Sequence, residues 1–182
     1  MSAKILQLYI LYRFNFCIRQ EANNGCYKYL NTCEKVSTLT SALKLFLREL
    51  RPPLISREAI DSPLPSGPVL SSKLCLLSDD YCDGYWRSEI MAQIKSNIRL
   101  LPVLEQKVLH YILLHLKSVA DNEENKMDAS SLAIIFGQNL VESKPMGNRN
   151  MDEVMIETDC NNKFVEILIT HVQELFLDQC VC

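Results

Sequence analysis

The sequence has no excess of positive charge, no long hydrophobic run and no recognisable catalytic motif. Its 182 residues carry 19 Lys and Arg against 22 Asp and Glu, which gives a net charge of −3. Nucleic-acid-binding domains usually carry a basic field, so this balance argues against that class. No P-loop, G-x-S-x-G motif or spacing of metal ligands is present. We therefore expect no cofactor, no metal and no self-sufficient active site.

Long apolar runs and paired cysteines are also missing. The apolar stretch at residues 5–11 is too short to span a bilayer, and it lacks the cleavage site of a secretory signal. The eight cysteines are scattered, and none forms a CxxC pair. In a long, apolar chain this pattern predicts reduced thiols rather than a disulfide framework. The sequence therefore predicts a cytoplasmic protein.

The apolar residues follow a helical period, and no alternating strand pattern is visible. With 48% hydrophobic residues, the chain suits one domain with a substantial core. Apolar stripes at the 3.6-residue period predict helices over residues 39–51, 108–119, 132–140 and 162–177. We therefore predict an all-α fold, with the first three helices packed around one core and the 108–119 helix most buried.

The 39–51 helix is amphipathic and carries positive charge on its polar side. Its predicted core stripe consists of Leu39, Ala42, Leu43, Phe46, Leu47 and Leu50. Lys44, Arg48 and Arg51 form a basic ridge on the opposite face, and the following Pro52 and Pro53 stop the helix. The ridge is either a solvated helix face or a surface for a partner.

The 132–140 helix has its own boundary signals. Asp128 or Ser130 can cap its amino terminus. Near its end, Gly137 leaves room for close backbone approach, and Asn139 places a polar side chain at the helix terminus.

These segments together resemble the Rho GTPase-activating (RhoGAP) domain family. The family pattern LKxFLREL-PEPL is similar to residues 43–50 followed by 53–55. The pattern NKM followed by NLAIVFGPNL is similar to residues 125–127 and 132–140. Between these blocks, the family pattern LPxxNxxxLxxLLxHL is similar to Leu101-Pro102 followed by Leu109, Ile112, Leu113, His115 and Leu116. Three blocks in the same order are far more specific than any one of them.

The resemblance implies an orthogonal helical bundle over residues 23–177. It leaves residues 1–22 as a divergent amino-terminal segment and residues 178–182 as a tail. Residues 61–84, rich in proline and serine, are expected to be a loop insertion on the surface.

The resemblance also implies a function. Such a domain binds a Rho, Rac or Cdc42-type GTPase in its GTP-bound state and accelerates GTP hydrolysis. Lys44 would contact the switch region of the GTPase, and Arg48 would brace the loop that carries an arginine finger. Asn139 would contact the GTPase close to the nucleotide. We expect these three residues to converge on one surface patch.

The arginine finger is the weakest part of the resemblance. The family places it in a G-[IFL]-[FY]-R-x-x-G loop, and the nearest match is Tyr12-Arg13 without either glycine. Arg19 is a second candidate. Arg13 is therefore the predicted finger, and the alternative is a non-catalytic GTPase-binding module. The missing glycines favour binding with weak acceleration, since a finger loop needs backbone freedom near a phosphate.

Two further interpretations concern membranes. A helical scaffold whose basic ridge binds acidic lipids is a third function, which the mild negative charge disfavours. The ending Cys180-Val181-Cys182 is similar to the prenylated termini of some small GTPases, but the favoured interpretation is an arbitrary chain end. Recruitment to a membrane through the GTPase partner is compatible with both interpretations of the carboxyl terminus.

Overall fold

The computed structural model describes residues 24, 36–65, 69–74, 84–145 and 147–177. The predicted finger Arg13, the alternative Arg19 and the terminal Cys180 and Cys182 lie outside these residues, as does the predicted boundary at residues 22–23. The chain divides into two compact units, Met1–Leu50 and Arg51–Cys182.

Every named element in the described part of the chain is a helix. The α-helices are α1 (Val36–Glu49), α2 (Arg57–Ile60), α3 (Leu70–Leu74), α4 (Gly84–Leu100), α5 (Val103–Ala120), α6 (Ala129–Leu140), α7 (Met151–Thr170) and α8 (Val172–Phe176), with a 3-10 turn at Glu123–Asn125. Strand-like pairing in these residues is limited to isolated bridges between Ile55 and Val141 and between Pro63 and Val69. The predicted all-α class is confirmed. None of the described helices is long and apolar enough to cross a membrane.

Helix α1 belongs to the first unit and differs from its prediction at both ends. It begins at Val36 and ends at Glu49, so Arg51 lies outside the helix and does not extend the basic ridge. Leu47 is buried as predicted, but Phe46 is 57% exposed. A periodic stripe shows which face of a helix is apolar, but it does not show how much of that face the neighbouring chain covers.

Helices α4 and α5 of the second unit meet at Pro102. Helix α4 begins at Gly84 and ends at Leu100. Pro102 precedes α5, where the missing amide hydrogen costs nothing. The expectation that α5 is the most buried helix is wrong, because Tyr111 is 78% exposed, His115 faces solvent and the shorter α6 has more buried residues.

Residues 61–84 contain more regular structure than predicted. Leu70 and Leu74 of α3 are buried, and so is Leu64 before it. Helix α3 packs against α7. The expectation that this segment is an irregular surface loop is therefore wrong for α3. That residues 61–84 are an insertion stays a prediction.

Helices α6 and α7 form the most extensive helix pair in the second unit. Helix α7 begins at Met151, eleven residues before the predicted start, because the side chain of Asn150 accepts a hydrogen bond from the Glu153 amide and caps it. The predicted core stripe at the end of the chain is confirmed and spans α7 and α8. Its buried members are Phe164, Val165, Leu168, Val172, Leu175 and Phe176.

One cysteine departs from the expected redox state. Cys160, on the buried side of α7, is disulfide-bonded. The prediction that all the cysteines are reduced thiols is therefore wrong for this residue.

Candidate functional site

Helix α1 carries the two cations of the predicted site in the first unit. Lys44 and Arg48 are four residues apart and so share one helix face. Lys44 is partly exposed and Arg48 is exposed. In the first half of the helix, the hydroxyls of Thr40 and Ser41 each donate to the carbonyl four residues earlier. These polar side chains are thereby accommodated within the helix.

Helix α6 carries the third predicted residue in the second unit, and its start is capped as the sequence predicts. The Asp128 carboxylate accepts a hydrogen bond of 2.7 Å from the Ser131 amide. This bond lowers the pKa of the Asp128 carboxyl, since it favours the charged form. Of the two caps considered, Asp128 is the one the structure uses.

The Asn125-Lys126-Met127 block has a structural role. The Asn125 side-chain amide donates to the Val119 carbonyl at 3.1 Å, which satisfies a free carbonyl near the end of α5. Lys126 has a φ of +50°, in the left-handed region, and ends the 3-10 turn. This block therefore shapes the connection into α6.

Asn139 lies on the last turn of α6 and is half-buried. Its side-chain nitrogen donates to the Ile135 carbonyl at 2.7 Å, one turn earlier in the same helix. An asparagine amide has two hydrogens and an acceptor oxygen. The single bond to Ile135 uses one hydrogen, and the described residues use neither the second hydrogen nor the oxygen. This side chain is oriented by its own helix and retains capacity for a partner.

The end of α6 is joined to the segment that follows the paired prolines. The Ile55 amide donates to the Leu140 carbonyl at 3.0 Å, and the Glu142 amide donates to the Ile55 carbonyl at 2.9 Å. These two bonds form the parallel bridge between Ile55 and Val141, and both residues are buried. Two motif blocks that lie about 85 residues apart in sequence thus meet next to Asn139.

A cluster of charged residues surrounds this junction. We call it the Arg57 cluster, and its members are Arg57, Asp61, Glu142, Lys144, Arg149 and Glu157. Arg57 forms a two-bond ion pair with Asp61, with Nε–Oδ2 at 3.0 Å and Nη2–Oδ1 at 2.9 Å. Lys144 Nζ lies 2.9 Å from Asp61 Oδ2, and Arg149 forms an ion pair with Glu157. The three cations therefore lie among three carboxylates.

Asp61 shows how strongly the cluster favours its charged state. Burial raises the pKa of the Asp61 carboxyl, but hydrogen bonds from Arg57, Lys144 and Ser71 outweigh burial and hold the pKa well below its usual range. A carboxylate that accepts several charge-assisted hydrogen bonds is stabilised in its ionised form. The cluster is therefore intact at neutral pH.

The comparisons with known proteins place this arrangement in a family. The sequence model of the RhoGAP domain matches residues 16–145, which is most of the chain. The chain belongs to the RhoGAP domain family. The matched range includes α1, the Ile55–Val141 bridge and Asn139, so it contains every residue predicted for the site except Arg13.

Curated relatives and a solved structure agree with this assignment. Rho GTPase-activating protein 29 of Bos taurus is 32% identical over 149 residues, covering 76% of this chain and 12% of the relative. N-chimaerin of Bos taurus is 30% identical over 115 residues, covering 63% of this chain and 30% of the relative. The chain thus spans less than a third of the length of either relative.

A crystal structure supplies the fold comparison. The BH domain from GRAF, the GTPase regulator associated with focal adhesion kinase, superposes with a TM-score of 0.60 at 26% identity. The superposition covers 80% of this RhoGAP chain and 69% of that domain. The predicted RhoGAP-like helical fold is confirmed.

The structure brings together residues that sequence reasoning missed. Arg57 and Asp61 have the i, i+4 spacing of a helical ion pair, which could have been noticed. No local signal links them to Glu142, Glu157 or Asn161, which lie 85 to 104 residues from Arg57. Lys44 and Arg48 lie in one unit and Asn139 in the other, so their convergence on one patch stays a prediction.

Proposed function

We propose that this RhoGAP domain binds a Rho-family GTPase in its GTP-bound state and accelerates GTP hydrolysis by that partner. The observation that carries the proposal is the RhoGAP match over residues 16–145. The names of its relatives, which include Rho GTPase-activating proteins, support the same class of activity. The domain is then an activator of a partner enzyme and holds no substrate of its own.

The chemistry requires positive charge and positioning from the activator. In phosphoryl transfer, negative charge develops on the γ-phosphate oxygens, and an arginine inserted from a partner accelerates the reaction by roughly 10³–10⁵. Arginine suits this role because its planar, permanently charged guanidinium can bond two oxygens together. We assign this role to Arg13 and the binding roles to Lys44, Arg48 and Asn139.

Asn139 has the chemistry that this binding role needs. Its amide offers both a donor and an acceptor, and the bond to the Ile135 carbonyl orients it on the last turn of α6. The backbone bonds of Ile55 to Leu140 and Glu142 hold that end of the helix. A side chain whose orientation is fixed before binding loses less entropy when the partner arrives. Any membrane proximity would come through the GTPase partner.

The second candidate function is a GTPase-binding module without acceleration. The sequence favours it at one point, because the residues around Arg13 lack both glycines of the family's finger loop. The proposed binding residues Lys44, Arg48 and Asn139 would keep their roles in such a module. The module would therefore bind the GTPase and leave its rate of GTP hydrolysis near the intrinsic value.

Single-turnover hydrolysis separates the two. The chain is mixed with GTP-loaded GTPases of the Rho, Rac and Cdc42 types, and binding is measured in parallel with a transition-state mimic of GTP. For an activator, Arg13→Ala should reduce the rate by about 10³ while ground-state binding survives, because the finger acts on charge that develops in the transition state. Arg19→Ala tests the second candidate for the finger and should leave the rate unchanged if Arg13 is the finger.

Each result has one interpretation. Acceleration by the chain supports the first function, with Arg13 as the finger if Arg13→Ala removes it and Arg19 if Arg19→Ala removes it. Binding without acceleration supports the second function. A chain that neither binds nor accelerates any of the three types would refute both functions.

A further inference from the structure

We propose that Arg57 is a positioning residue for the GTPase-binding end of α6, and that it holds Asn139 in place through the Arg57 cluster. This inference rests on the proposed function of Asn139. Arg57 itself is 13% exposed at its side chain, so its role is to act through its neighbours rather than to touch the partner.

The guanidinium of Arg57 joins three parts of the second unit. Nε and Nη2 bind the Asp61 carboxylate at the end of α2. Nη1 donates to the buried Asn161 side-chain oxygen on α7 at 2.8 Å, and it lies 3.7 Å from Glu157 Oε1. Only a planar fork with several fixed donors can serve these acceptors from one side chain. Arg57 thereby fixes α2 against α7.

The backbone of Arg57 adds a direct link to the segment after α6. Its amide donates to Glu142 Oε2 at 3.0 Å. Two residues earlier, Ile55 accepts from the Glu142 amide and donates to Leu140. The 55–57 segment is therefore bonded to the end of α6 on one side and fixed to α7 by the Arg57 side chain on the other.

The loop after α6 depends on polar bonds because it has little apolar burial. Residues 142–145 are all exposed. The Lys144 amide donates to Glu157 Oε1 at 2.9 Å, and the Lys144 carbonyl accepts from Arg149 Nη2 at 2.6 Å. The carboxylate of Glu157 thus holds the loop while lying beside Arg57. Removing the Arg57 fork would leave Asp61 and Glu157 with fewer partners and would loosen the loop.

Asn139 lies three residues before Glu142, on the last turn of α6. The hydrogen bonds of the loop that follows therefore hold the end of this turn in place. The orientation of its side chain depends on that turn, since it bonds the Ile135 carbonyl within the helix. A loosened end of α6 would let this turn fray and would move Asn139 away from its binding geometry. Arg57 would then contribute to affinity without any contact with the GTPase.

The test is Arg57→Lys in the full chain, because lysine keeps the charge and loses the fork. We expect hydrogen exchange at the Glu142 and Lys144 amides to rise about tenfold, while exchange at the core amide of Leu113 changes little. The Kd for a Rho-family GTPase loaded with a non-hydrolysable GTP analogue should rise about fivefold. In the Asn139→Ala background, Arg57→Lys should change Kd by less than about twofold, because the side chain through which Arg57 affects binding is absent.

Lys117→Gln is the control, since it removes a cation from an exposed i, i+4 pair with Asp121 outside the cluster. It should leave both readouts unchanged. Should Arg57→Lys fail to fold, Glu142→Ala replaces it, because this exposed side chain bonds only the Arg57 amide among the described residues. It should raise exchange at the Ile55 and Glu142 amides.

The outcomes separate the two proposals. Unchanged exchange at Glu142 and Lys144 would overturn the positioning role, and so would an equal effect on Kd with and without Asn139. If the unaltered chain binds no GTPase, the proposed function fails, and the exchange measurement still decides whether Arg57 holds the end of α6.

Discussion

At the residue scale, Lys44 and Asn139 represent two kinds of contribution to a binding surface. Lys44 is a point charge on a flexible stem, so it contributes attraction more than geometry. Asn139 is a short amide oriented by a bond of 2.7 Å to its own helix. Lys44 is partly exposed, and a lysine at the surface adds little to folding, because surface ion pairs are worth about 0–1 kcal/mol. Its removal should therefore be visible in binding rather than in stability.

We expect Lys44→Ala to weaken binding to a GTP-loaded Rho-family GTPase about fivefold to tenfold and to leave the melting temperature within about 2 °C of the wild type. The loss should shrink as salt rises, since exposed charges are screened. Isothermal calorimetry at two salt concentrations and thermal unfolding measure these effects. Lys107→Ala, which removes an exposed lysine from α5, is the control. Equal losses from both variants would show that net charge matters and that Lys44 has no specific contact.

The residue types of the candidate site could be predicted from the sequence, but their supports could not. Asn139 was found because it ends an apolar helix within a recognisable block. The role of Arg57 could not be predicted. The i, i+4 spacing of Arg57 and Asp61 carries no information on a partner such as Asn161, which lies about 100 residues away. Sequence periodicity reports the face of a helix, whereas a hydrogen-bonded cluster depends on tertiary approach.

At the element scale, the packing of α6 on α7 depends on Gly137. A Cβ at this position would lie 2.6 Å from Asn162 Oδ1 and 3.5 Å from Asn162 Cα. The backbone distance is an ordinary contact, so the side-chain oxygen of Asn162 is the obstacle. That oxygen is buried and has no hydrogen-bond partner in the described part of the chain. The close approach that the sequence predicted at Gly137 is confirmed.

We expect Gly137→Ala to depend on Asn162. Alanine is favoured over glycine inside a helix by about 1 kcal/mol, but in the wild type that gain is offset by displacement of the Asn162 side chain. In an Asn162→Ala background, the obstacle is absent and the gain should appear in full. Denaturant unfolding of the four proteins of this double-mutant cycle should give a coupling of about 1 kcal/mol.

The exposed neighbour supplies the control for helix propensity. Gln138→Ala should have the same small effect with and without Asn162, because Gln138 faces solvent. Additive free energies at Gly137 and Asn162 would contradict the argument and would mean that α6 and α7 separate easily at this point.

At the scale of the whole molecule, the helices could be predicted better than their boundaries and exposure. The apolar stripes located α5, α6 and the second half of α7 in the right region. They missed the early start of α7, which is fixed by the Asn150 cap rather than by a stripe. They also overestimated the burial of α5, because an apolar stripe does not show which of its residues the fold covers. Tyr111, for example, is exposed to solvent.

The two histidines near α8 should make the stability of the whole molecule depend on pH. The His110 ring stacks on Phe176 at 4.5 Å, and burial lowers the pKa of His110 below its ordinary value of 6.5. Burial also lowers the pKa of His171, and the charge of Arg87 acts in the same direction. The unfolded chain therefore binds protons more readily than the folded one, so the free energy of unfolding should fall as pH drops from about 7.5 to 5.

We expect His110→Phe to flatten this dependence, since phenylalanine keeps the stack and removes the proton-binding group. Urea unfolding at several pH values measures the slope. Leu114→Phe, an exposed aromatic substitution on the same helix, should leave the slope unchanged because it removes no titrating group. Below about pH 4, loss of the Asp61 charge should destabilise both variants alike, because its pKa is also depressed in the folded state. A slope in His110→Phe equal to that of the wild type would assign the acid sensitivity between pH 7.5 and 5 to His171 instead.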